Sequence, residues 1–173
     1  MAMSNNTPGL TATSCPGCAV ILPVLDGPTH PYIGASAACW AKSGELAARE
    51  YQDRAYAAIH QLSVDVYAVQ HPGKAERRAI QSVALHLMTL AMILEDETDP
   101  RIGPRLHKRM VQSEFHWLDP PSMQGRMNVS DVLFAQTSEG HERLVRAWAE
   151  DVWTAWMPHQ ATVRRWIEQS LDG

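Results

Sequence analysis

HQLSVDVYAVQHPG, residues 60–73, places two histidines, an aspartate and a tyrosine inside an otherwise apolar helical run. At about 100° per residue, His60, Tyr67 and His71 fall within about 40° of one another, while Asp65 shares a second stripe with Ala58, Leu62 and Val69. Polar groups therefore stand on faces that should be buried. The following run, Arg78 to Glu95, is apolar almost all round and too short to span a bilayer, so it reads as a central core helix. Within it Ser82, His86 and Thr89 recur at i, i+4 and i+7 as a polar seam. The connection His71-Pro72-Gly73-Lys74 is short and rich in helix breakers, which predicts antiparallel neighbours whose seams meet near the turn.

Composition narrows the class. At 173 residues the chain is long enough for one domain burying roughly 70% of its unfolded surface. With 45% hydrophobic residues, 20% charged residues and a formal charge of −4, it offers no electrostatic reason to bind nucleic acid or an anionic membrane. Its 15 basic residues form no cluster that would track phosphates. The tryptophans at 148, 153, 156 and 166 recur at helical spacing, where core packing is expected. Met1 to Ser14 is polar, lacking a basic start and an apolar core, so a cytoplasmic address is expected. Three cysteines fit a disulfide framework poorly and fit metal ligation better.

Along the chain, residues 1–14 read as a flexible leader and 15–173 as a single helical domain. Within the domain, 15–40 is a metal-ordered loop broken by Pro23, Pro28 and Pro31, and 41–173 is the helical core. Helices are predicted from about Cys39 to Gln52, Arg54 to Gln70 and Arg78 to Glu95. A short amphipathic helix is expected within 101–115, another is capped by Asn128, a strong helix runs from Ser138 to about Trp156, and a last one is started by Pro158. Only Ala19–Pro23 allows a short strand. The predicted fold is all-α: a helical bundle with an irregular, zinc-knuckle-like N-terminal loop.

Two constellations carry chemistry. In CPGC, Cys15 and Cys18 flank a Pro-Gly turn, a spacing that lets two thiolates occupy adjacent corners of a tetrahedron. His30 and Cys39 lie in the loop-rich stretch that follows and complete a Cys3His site for structural Zn²⁺, ordering a segment with little core of its own. A redox dithiol at Cys15 and Cys18 is the weaker reading, because such pairs usually open a helix after a strand. Plain packing of the thiols is the third.

The second constellation is His60, Asp65, Tyr67, His71 and His86. Imidazoles on adjacent helices can hold a second divalent ion, Zn²⁺ or Fe²⁺, through His60, His71 and His86. Asp65 would then orient a ligand or act as a base, and Tyr67 would donate a hydrogen bond. Against this stands a satisfied polar core, with Asp65 paired to Arg77 or Arg78. His141 and His159 need not converge, and His107 and His116 are expected to be solvated. No GxGxxG, P-loop, GxSxG or HExxH pattern occurs, so nucleotide binding and the commonest hydrolase mechanisms lack a motif.

CPGC at 15–18, GPTHPY at 27–32, SAACW at 36–40, HQLSVDVYAVQHPG at 60–73, SVALHL at 82–87 and a Trp-rich C-terminal helix pair together resemble a bacterial family of unknown function, over nearly the whole chain. A looser similarity is to the DinB-like helical bundles, which hold a divalent metal with three histidines from different helices. This sequence lacks their paired histidines one turn apart. The readings converge on a metal-binding helical protein, either a metal-dependent hydrolase or oxygenase acting on a small molecule at a His60/Tyr67/His71/His86 pocket or a non-catalytic scaffold with structural zinc. A CxxC redox switch is the third alternative. The expected partner is a small molecule rather than nucleic acid or membrane, and the sequence is silent on oligomeric state.

Overall fold

Local capping chemistry decides where half of the α-helices begin. In the computed structural model, which describes residues 11–171, Ser36 accepts from the Cys39 backbone N–H and opens α1 (Ala37–Gln52). Asp53 is extended, ends α1 and caps a single turn, α2 (Arg54–Ala57). The helix expected over 54–70 is thus divided: the chain turns at Ala58-Ile59, buries Ile59 and restarts as α3 (His60–Gln70). That turn sets the His60 ring on Glu50.

Pro72 and Gly73 stop α3, and α4 (Arg77–Glu95) follows. Gly73 has φ +70°, and a Cβ there would meet the Tyr32 carbonyl, so the tight connection needs glycine. A 3₁₀ turn at Pro100–Ile102 leads into α5 (Gly103–Met110). After an irregular stretch, Asn128 and Asp131 form a capping box on α6 (Val129–Leu133). Thr137 caps α7 (Ser138–Ala155), and a 3₁₀ turn through Pro158 precedes α8 (Gln160–Leu171).

The described residues are therefore helical in the main, as the periodicity predicts. One feature departs from it: Ala12–Ser14 (β1) pairs antiparallel with Ile21–Pro23 (β2), Ser14 opposite Ile21. Of the expected leader, residues 1–10 lie outside the described residues, and its end is this strand. The hairpin brackets the CPGC turn and holds its shape.

The core lies where α3 packs on α4 and α7. Leu62, Val66 and Val69 share one buried cluster with Leu87, Met88 and Leu90, and Trp148 and Trp156 belong to it. The polar side chains of α3 are buried with partners. Gln70 donates to the carbonyls of Gln124 and Met127 at 2.8 and 2.7 Å and accepts from Trp148 Nε1 at 3.0 Å, tying the irregular 111–128 stretch to the core.

Candidate functional site

Three polar clusters surround α3. The first joins Cys15 and Cys18 from the hairpin turn, Cys39 from the first turn of α1, and His71 just past the end of α3. One donor atom from each lies within 4.8 Å of every other. Cys18 Sγ is 3.8 Å from Cys39 Sγ, which is 3.5 Å from His71 Nε2. His71 Nδ1–H donates to the Tyr67 carbonyl at 2.7 Å, which turns Nε2 toward the sulfurs. The Ser36 N–H and the Tyr67 hydroxyl donate to Cys15 and Cys39 sulfur, each at 3.5 Å. Four convergent soft donors with outer partners are geometrically compatible with one metal ion.

Close approach makes this convergence possible. A Cβ on Gly17 would fall 2.8 Å from the Gln70 carbonyl oxygen and closer still to the His71 ring. The CPGC turn can sit on the end of α3 only because that residue has no side chain.

The electrostatics divide the thiols: they favour thiolate at Cys15, while the contacts of Cys15 and then Cys18, with burial, push Cys39 above its ordinary range. Hydrogen bonds from Cys18 and Cys39 hold the Cys15 thiol well below its ordinary range despite burial. Burial alone would lower His71, yet its contacts with Cys15 and Cys18 raise it to about 9. Burial, followed by the neighbouring Cys39 charge, pushes the Tyr67 phenol above its usual range, where it remains a donor.

The sequence pairs the cysteines with His30 and groups His71 with His60 and His86; in the fold it is His71, not His30, that stands beside the three sulfurs. His30 packs edge-on to Tyr32 at 4.3 Å and against Trp40 at 5.1 Å, and burial lowers its pKa. It lies in the same loop as the cysteines but belongs to an aromatic cluster.

The second cluster joins Asp65 of α3, His86 of α4 and His107 of α5. Asp65 is fully buried. Its Oδ1 takes His86 Nδ1 at 2.7 Å and Gln61 Nε2 at 2.8 Å, with His107 Nε2 at 3.5 Å. Thr89 Oγ1 is 3.0 Å from that same His107 nitrogen. Asp65 Oδ2 is buried without a hydrogen-bond partner. Burial raises a carboxyl, but the contacts of His107 and then His86 hold Asp65 below its ordinary range, so it is an anion. Asp65 pairs with neither Arg77 nor Arg78.

His60 and His71 are absent from this cluster, so the expected His60/His71/His86 grouping does not form. Its place is taken by His107, for which the sequence predicts a solvated side chain. Gly103, His107 and Met110 share one face of α5 at i, i+4 and i+7, and the buried Gly103 and Met110 were the available signal.

The third cluster was not foreseen. Glu50, on the buried face of α1 and 1% exposed, accepts from His60 Nδ1 at 2.7 Å, His141 Nε2 at 2.8 Å and Ser63 Oγ at 2.5 Å. Burial works against its charge, but these three donors, His141 first, hold it below its ordinary range. The i, i+7, i+11 stripe Cys39, Leu46, Glu50 could have marked it as inward-facing. His159 lies apart, with Nε2 on the Asp119 carbonyl, and His116 packs on Trp166.

A cavity of about 270 Å³ opens between α1 and α3. Trp40, Leu46, Val64 and Tyr67 contribute to its walls, together with His60 and His86. Among the described residues no helix is long and apolar enough to cross a membrane. The model of a family of unknown function, DUF5946, matches residues 13–157. No curated protein and no solved structure matches the chain.

Proposed function

For a chain that belongs to DUF5946, a family of unknown function, the geometry must supply the function, and we propose a two-metal protein: a structural Zn²⁺ at Cys15, Cys18, Cys39 and His71, and an exchangeable divalent ion at Asp65, His86 and His107. The observation that carries the zinc reading is a pair of separations. Tetrahedral Zn²⁺, with bonds of about 2.3 Å to sulfur and 2.0 Å to nitrogen, puts two sulfurs about 3.8 Å apart and sulfur and nitrogen about 3.5 Å apart. The cluster has 3.8 Å and 3.5 Å. Such an ion stabilises its ligand set by about 10 kcal/mol or more in apparent binding energy. Its role here is to fasten residues 15–40 onto α1 and the end of α3.

The second ion rests on donor chemistry. Two imidazoles and a carboxylate from three helices form a nitrogen–oxygen set that suits Zn²⁺ or Fe²⁺ and leaves coordination positions open. The buried anionic Asp65, with Oδ2 unpartnered, favours a cation there. When bound, the ion would supply Lewis acidity, polarising a small molecule or activating water. Gln61 holds the carboxylate, and Thr89 stands beside the His107 Nε2 that faces it, a contact the ion would replace.

Elemental analysis of untagged protein tests both halves. Two ions per chain are expected, with Cys15→Ser/Cys18→Ser losing zinc alone and His107→Ala losing the other alone. A parent without zinc would sink the first assignment. One zinc and nothing more would make Asp65, His86 and His107 a structural network and the protein a scaffold.

A further inference from the structure

The cavity between α1 and α3 has a polar feature that neither metal assignment uses. His60 lies on its wall with Nδ1 held by Glu50, a carboxylate that Ser63 and His141 fix in turn. A carboxylate that accepts Nδ1–H selects the tautomer in which Nε2 carries the lone pair. Among the described residues His60 Nε2 has no hydrogen-bond partner. The exposed Tyr51 ring lies 4.5 Å from the imidazole centroid.

The rest of the cavity is mostly apolar, although Ser43, and His86 of the second cluster, also line it. Ile33, Trp40, Leu46 and Val64 offer apolar surface, and the Tyr67 hydroxyl is turned away to Cys39 sulfur. A volume of about 270 Å³ admits a small ring system and little more. We propose that this cavity binds a small, flat, apolar molecule bearing one acidic hydroxyl, a phenol or enol, whose O–H donates to His60 Nε2. Apolar walls supply the affinity and the oriented imidazole supplies the selectivity, because a bound ligand without the hydroxyl would cover this solvent-accessible acceptor and leave it unpaired. Glu50 is the positioning residue.

Gly44 provides a clean control. It lies on the cavity wall, and a Cβ added there meets nothing within 4 Å, so Gly44→Leu fills the cavity without a backbone clash. Leucine also favours the helix.

The probes are p-cresol, which keeps its O–H at neutral pH, and its methyl ether p-methylanisole, titrated into the metal-loaded chain by calorimetry. The parent should bind the phenol saturably and about tenfold more tightly than the ether, the difference one oriented hydrogen bond makes. His60→Ala should bring that ratio near one. Gly44→Leu should abolish both affinities with an undiminished thermal midpoint. His107→Ala, which removes the second ion, should keep the ratio, so a failure of the metal assignment is distinguishable from a failure here. The proposal is overturned by an absence of saturable phenol binding in the parent, or by an unchanged ratio in His60→Ala. Loss of the ratio in His107→Ala would likewise assign the ligand to the metal cluster and remove the role given to His60.

Discussion

Gly17→Ala tests the proposed zinc centre without touching a ligand. The added methyl would lie 2.8 Å from the Gln70 carbonyl oxygen and would overlap the His71 ring. Ordinary contact lies beyond about 3.4 Å, so the CPGC turn or the ring must move by more than half an ångström, whereas a functional constellation tolerates about 0.5 Å. Neither side yields easily. The ring is anchored at Nδ1 by the Tyr67 carbonyl, and the turn is closed by Cys15 N–H to the Val20 carbonyl and Ala19 N–H to the Cys15 carbonyl, both 2.9 Å. Overpacking of this kind costs about 1–3 kcal/mol. Because the clash falls on the ligand geometry, zinc affinity should drop about ten- to hundredfold. Competition against a chromophoric chelator reads this directly, with Gly44→Leu as a helix-glycine control. Parental zinc affinity in Gly17→Ala would refute the proposed docking of the hairpin turn on α3.

Two further outcomes follow from the polar interior. Glu50 has a folded pKa below its ordinary 4.5, so its contribution to stability is present above that value and is lost as pH falls through the folded one. Urea unfolding between about pH 6 and pH 3 should show a shallower loss of stability for Glu50→Gln than for the parent, and parallel curves would contradict the network. Gln70→Leu leaves the Trp148 indole N–H and two carbonyls without their partner, so it should cost about 3 kcal/mol or more. A loss under about 1 kcal/mol would mean that this hub is not holding the 111–128 stretch.

Periodicity and capping made most helices legible, because both are local. Ser36, Asn128 and Pro158 mark their helix starts within a residue or two. The turn at Ala58-Ile59 was hidden, since nothing in YAAIHQL breaks a helix and the bend serves tertiary contacts of Ile59 and His60. The site was half legible for a related reason. CPGC announces itself by spacing, as does a polar residue in an apolar run, but which histidine joins which cluster depends on how helices dock. His30 and His71 both border loops, and only the approach allowed by Gly17 distinguishes them. Glu50 looked like one more charge on an amphipathic helix, and its two imidazole partners come from α3 and α7.

On a growing chain the clusters do not assemble in the order in which they stand in the folded molecule. Cys15, Cys18 and Cys39 emerge first, and His71 follows Cys39 by 32 residues. Three thiols are therefore out before the chain has a fourth donor, and that donor is in place only when the last turn of α3 forms and its Tyr67 carbonyl takes the imidazole N–H. Under the proposed zinc assignment, completion of α3 would turn an open, exchange-prone tripod of sulfurs into a closed site. A nascent chain stalled before residue 71 should surrender its metal to a chelator, and one released after it should not.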